Sequence, residues 1–247
     1  MTINNNNIFG AFTLGEVRSG RLTGEWLNKE SVANYGWFGG GSLGTSPVTV
    51  SATVDRIDFS NDSSTASPRG PLSLARNSLA ATGNSNYGWF GGGTYYPYGG
   101  GPIPFTSSVD RIDFSNDAST ASPRGSLSLA RYSLTATGNS NYGWFGGGFS
   151  PGGVTNTVDR MDFSNDSVSA SPRGPLSSVR SGLAATGNSN YGWFGGGYST
   201  SLPLPAANRH VSTVNRIDFS NDSATASVRG SLLIVRRFLA ATSNIPT

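Results

Sequence analysis

The octapeptide Asn34-Tyr35-Gly36-Trp37-Phe38-Gly39-Gly40-Gly41 occurs four times in the chain, returning at 86–93, 141–148 and 190–197. Near-identity at intervals of 52, 55 and 49 residues restricts the fold to a repeat architecture, in which each unit buries its apolar face against its neighbours. Tyr, Trp and Phe interleaved with Gly predict a short strand packed on both faces, and the Gly triplet ends it.

A second signature follows each insert: Val54-Asp55-Arg56-Ile57-Asp58-Phe59-Ser60-Asn61-Asp62, alternating with period two into a Ser-Asn-Asp turn. A return strand is expected over 64–67, stopped by Pro68-Arg69-Gly70-Pro71. Leu72-Ser73-Leu74-Ala75-Arg76 then leads into a run of small residues, 78–82, and the turn Gly83-Asn84-Ser85 feeds the next aromatic core. Each unit so read holds four strands. The abundance of Gly (34) and Pro (13), with only 13% charged residues, suits many short strands and tight turns.

These stretches resemble kelch repeats. Residues 71–76 look like the kelch proline-and-arginine lead into an inner strand, 87–92 like its aromatic strand ending in double glycine, and 109–113 like its third strand. The resemblance implies an all-β, kelch-like β-propeller over 34–247, of four blades with four antiparallel strands each, and leaves 1–33 as an N-terminal extension or docking arm. It departs at the fourth strand, where the kelch Trp is replaced by Ala66-Ser67-Pro68 and its copies; Trp37, Trp89, Trp144 and Trp193 sit in the second strand instead. The first unit lacks an inner strand, while Phe238-Leu239-Ala240-Ala241-Thr242 near the C-terminus has inner-strand character with no aromatic core after it. Closure by pairing 238–242 beside 35–38 is therefore expected, leaving short, protected edges. A fifth sheet built from 8–33, or a ring completed by another chain, are the alternatives.

Charge follows the repeat as well. Sixteen of the 17 basic residues are Arg, and twelve of these occupy three recurring sites typified by Arg56, Arg69 and Arg76. Most acids recur with them, so the set reads as internal pairing rather than a footprint for nucleic acid, with Arg suited to gripping a carboxylate in two places. The Asp58-to-Asp62 segment spaces oxygens as calcium ligands do, but Asn and Asp also close turns through their own backbone, and the turn reading is preferred. No catalytic residue, metal site or cofactor is expected. A fourfold-repeated pair makes a poor active site, because catalysis needs one asymmetric pocket. Kelch-type copper oxidases need several histidines and a cysteine-linked tyrosine, whereas this chain has one His and no Cys.

What differs between units is the insert after each Gly triplet: 42–53, 94–108, 149–157 and 198–213, none of which contains Asp or Glu. In an up-and-down blade all four emerge at one end, opposite the uniform Gly-Asn-Ser and Ser-Asn-Asp turns. Binding belongs on the divergent end. Tyr95, Tyr96, Tyr98, Phe105, Phe149, Tyr198, Arg209 and His210 are the candidate partner- or glycan-binding residues, since amphipathic rings serve protein and sugar recognition.

Near-identical tandem units rich in Gly, Asn and Ser, with a single Lys and no Cys, resemble repeat proteins encoded by marine bacteriophages. That likeness implies a non-enzymatic structural or attachment module of a virion tail or fibre, acting in the particle or outside the cell, with other virion proteins or a host surface receptor as partners and a homo-oligomer conceivable. The alternative is a lectin-like propeller whose tyrosines stack on sugar rings. The start of the chain has no secretory signal pattern, and no apolar run nears the roughly 18 residues of a membrane span, so membrane insertion is not expected.

Overall fold

The computed structural model describes residues 35–44, 49–95, 104–203, 205 and 209–243. The expected arm, 1–33, lies outside them. Four antiparallel sheets follow one another along the sequence. The first holds β1 (Tyr35–Gly39), β2 (Val54–Asp58) and β3 (Ser67–Arg69); the second holds β4 (Ala80–Gly83), β5 (Tyr87–Gly91), β6 (Val109–Asp113) and β7 (Ser122–Arg124). In the third, β8 (Thr135–Gly138) and β9 (Tyr142–Gly146) lie beside β12 (Val158–Asp162) and β13 (Ser171–Pro172), and its insert forms a small hairpin of β10 (Phe149–Ser150) and β11 (Gly153–Val154). The fourth is β14 (Ala184–Gly187), β15 (Tyr191–Gly195), β16 (Thr213–Asp218) and β17 (Ser227–Ser231).

Register repeats from sheet to sheet. In the last three, the inner-strand Thr faces the aromatic-strand Trp (Thr82 to Trp89, Thr137 to Trp144, Thr186 to Trp193), and in all four that Trp faces an Arg of the third strand. The return strand differs from expectation. Residues 64–66 form no strand, and the outer strand of the first sheet is Ser67–Arg69, with Pro68 inside it opposite Asp55. Proline is tolerated there because an edge strand need not donate outward.

A second difference concerns closure. Among the described residues β1 pairs with β2 alone, and Leu239–Thr242 forms no strand and does not pair with Tyr35–Phe38. The first sheet therefore has three strands rather than four, and its aromatic edge is open: Phe38 is 62% exposed, whereas Phe90, Phe145 and Phe194 are buried.

Between consecutive sheets one joint is built three times. The indole Nε1 of Trp37 donates to Asp117 Oδ2 of the next unit at 2.8 Å, and Trp89 to Asp166 and Trp144 to Asp222 repeat this at 2.9 Å. Each of these carboxylates also receives a guanidinium from the preceding unit, Arg56, Arg111 or Arg160, at 2.9–3.1 Å. The Trp ring stacks on a Phe of the next unit: Trp37 on Phe114 at 3.9 Å, Trp89 on Phe163 at 3.8 Å, Trp144 on Phe219 at 3.7 Å. The expected internal pairing is present, and at this joint its carboxylate is the last Asp of the turn. Trp in the second strand does the inter-unit packing that the resemblance could not supply.

Glycine is required at this joint. A Cβ on Gly70, Gly125 or Gly174 would stand 1.9–2.1 Å from a backbone oxygen of the next unit, closer than any contact a folded chain permits. The Pro-Arg-Gly connection is thus fixed by close approach as much as by its turn.

Inside each of the last three units, an Arg ahead of the inner strand is fully buried. Arg76 pairs with Asp110 at 3.2 Å and Arg131 with Asp159 at 2.8 Å, all four side chains at 0% exposure. Arg180 instead meets Asn215, and burial without a carboxylate lowers its pKa to about 10. Restoring the acid with Asn215→Asp is expected to raise the unfolding free energy by about 1–2 kcal/mol, the value of turning a neutral acceptor into a charged one. Urea denaturation of the two proteins checks this, and an unchanged or lower midpoint would refute it.

Candidate binding surface

Because each sheet runs up and down in sequence order, the inserts leave at the end that carries the Pro-Arg-Gly connections. The uniform turns occupy the other end. There Asp58, Asp113, Asp162 and Asp218 each accept from the backbone N–H and the hydroxyl of the Ser two residues on, with hydroxyl distances of 2.6–2.7 Å. Those bonds hold Asp58, Asp113 and Asp218 below the ordinary carboxylate value of 3.8. A carboxylate oxygen that closes its own turn in this way caps the segment.

At the insert end each loop is tied down at its root. The residue after the Gly triplet bridges to the one after the buried Arg, as in Asn77 with Thr94, Tyr132 with Phe149 and Ser181 with Tyr198. In the second and fourth units it also bridges to the far side of its own insert, Thr94 to Phe105 and Tyr198 to His210. Two aromatic groups result. Phe105, Tyr132 and Phe149 sit with ring centroids 5.4–6.2 Å apart, joining the inserts of neighbouring units. Tyr198 meets His210 edge-on at 6.3 Å and carries the Arg237 guanidinium 5.5 Å from its ring centre.

Of the candidates, Phe105 and Phe149 are brought together, and Tyr198 lies with His210. All four are half-buried rather than free. Arg209 is half-buried beside His210, and its carbonyl accepts from Ser199 N–H at 2.8 Å. Tyr95 is half-buried at the start of its insert, and Tyr96 and Tyr98 lie outside the described residues. Sequence reasoning missed Tyr132 and Arg237. Their signal was available: they stand where the other units place Asn77 and Ser181, a variable site inside an otherwise constant lead.

No family model matches the chain, and no curated protein matches it in sequence. Among solved structures it is similar to that of YjhT, with a TM-score of 0.66 over 85% of this chain and 71% of that one, at 13% identity. The fold is propeller-like. At that identity the likeness concerns the path of the chain and not its chemistry. Among the described residues no helix is long and apolar enough to cross a membrane.

Proposed function

We propose that the chain is a non-enzymatic structural or attachment module of kelch-like blades, associated with a virion tail or fibre, that binds a partner through its inserts. One observation carries the reading. Of the eleven Asp residues among those described, four cap turns, two neutralise buried arginines and three tie one unit to the next, which leaves only Asp55 and Asp62 at the open edge. The acid groups of the fold hold it together. The unit-to-unit variation lies in the aromatic inserts, and the rings of Tyr132, Phe149 and Tyr198 offer a partner rigid, amphipathic area at low entropic cost.

The test is to raise antibodies against the chain and probe particles banded from the material that encodes it. A stoichiometric signal on particles that is lost when Tyr132 and Tyr198 are both changed to Ala supports the reading. Absence from particles overturns the virion assignment, and binding to a glycan array lost in the same double variant would replace it with the lectin-like alternative.

A further inference from the structure

Among the described residues, the joint built three times inside the chain has both of its halves bare at the two ends. At the head, Phe59 lies over its own Gly36 as Phe114 lies over Gly88, yet its other face has no Trp and it is 57% exposed. Asp62, the counterpart of Asp117, Asp166 and Asp222, is exposed and has no partner among the described residues. At the tail, Trp193 has no Phe and no carboxylate among the described residues. Among them the Arg216 guanidinium keeps only the Tyr191 ring, 4.3 Å away. The missing groups of each end are the surplus groups of the other.

The fit extends to shape. Phe90, Phe145 and Phe194 each press on the last Gly of the preceding aromatic strand, Gly39, Gly91 and Gly146. Among the described residues Gly195 has no such Phe, while Phe38 has no such Gly. Gly230 stands where Gly70, Gly125 and Gly174 meet the next unit's backbone, and there is open space within 4 Å of it.

The tail also carries the letters of the missing inner strand. Leu239-Ala240-Ala241-Thr242 repeats the letters of Leu79-Ala80-Ala81-Thr82 and Leu183-Ala184-Ala185-Thr186. Its approach is already set. Arg236 O accepts from Gly197 N–H at 2.8 Å, as Arg76, Arg131 and Arg180 accept from Gly41, Gly93 and Gly148. Phe238 takes the same left-handed turn (φ 55°) as Ser78, Ser133 and Gly182. A ladder runs from Phe238 N–H to Gly182 O, from Gly182 N–H to Ser133 O and from Ser133 N–H to Ser78 O, and then stops. Arg236 is exposed where its three counterparts are fully buried, beside Leu233, Ile234 and Phe238 at 99%, 61% and 71% exposure. Leu233 replaces the Ser whose hydroxyl grips Asp110 in the second unit, so that one bond is not repeated.

We infer that the occupant of the open head is the tail of a second copy of this chain, joined head to tail with the geometry of the internal joints. In the second copy's first unit, Asp62 receives Trp193, Arg216 and Arg229 of the first copy. Asp55 neutralises Arg236, and Leu239–Thr242 adds to the free edge of β1 with Thr242 opposite Trp37. Among the described residues the chain's own two ends do not make these contacts. The contact is heterologous, so it yields a ring if its rotation closes and a filament if it does not. It does not depend on what the inserts bind.

The open space at Gly230 supplies a sharp test. Gly230→Ala leaves each copy's fold alone but places a methyl group where the joint needs contact, while Asp62→Ala removes the carboxylate of the other half. Sedimentation velocity over a concentration series is expected to show the wild type assembling. Each variant should weaken assembly by about 30-fold or more, as expected for a central interface residue. An equimolar mixture of the two should form a one-to-one dimer and nothing larger, since only one intact joint remains. A wild type that stays monomeric at about 100 μM, variants that assemble like it, or a mixture that stays monomeric would each overturn the proposal. Matching near-ultraviolet circular dichroism of both variants guards against misfolding.

Discussion

Asp159→Ala is expected to lower the unfolding free energy by about 3–5 kcal/mol, the cost of leaving a buried charge without its partner. Asp159 receives Arg131 Nη1 at 2.8 Å and the Ser128 hydroxyl at 2.6 Å, with both members of the ion pair at 0% exposure. Once the acid is gone, Arg131 has no water to turn to. Asp159→Asn should cost less, because the fourth unit already tolerates an Asn at the same site facing Arg180. Urea denaturation orders the three proteins, and equal midpoints for Ala and wild type would show that the pair contributes nothing.

The second large effect is expected at Trp144. Its side chain is fully buried, stacked within 5° of parallel on Phe219, and bonded through Nε1 to Asp222. Trp144→Ala removes the ring, leaves a cavity between two units and strips a donor from a carboxylate, for a loss of about 3–5 kcal/mol. In the monomer, at concentrations too low for assembly, the same change at Trp193 should cost less than half of that, since no Phe or Asp of a following unit of its own chain covers it among the described residues. Comparable losses at the two positions would mean that the stacked joint is not what holds consecutive units together.

These contrasts show what was legible beforehand. The octapeptide and its intervals announced sheets in tandem because strand, glycine and turn are local properties, written within ten residues of one another. That Arg pairs internally was legible from its locked spacing. Which acid it takes was not, because Arg56 reaches Asp117 across 61 positions of sequence and a whole sheet. The outer strand at Ser67–Arg69 was misplaced because Pro68 reads locally as a stop, and only the sheet shows that it lies on an outer edge. Closure failed for a related reason: Leu239–Thr242 carries the letters of an inner strand but forms no strand, because a strand needs a neighbouring edge to pair with and the letters do not supply one. At the insert end, the aromatic residues were visible as composition, and their grouping awaited the bridges that anchor each loop.

The uniformity of the joint has a bearing on how such a chain changes over generations. Because every seam presents the same male and female surfaces, crossing over between two of the near-identical octapeptides lengthens or shortens the protein by whole modules and still leaves matching ends. Selection can then adjust span by copy number, and can vary one insert without renegotiating the contacts beneath it.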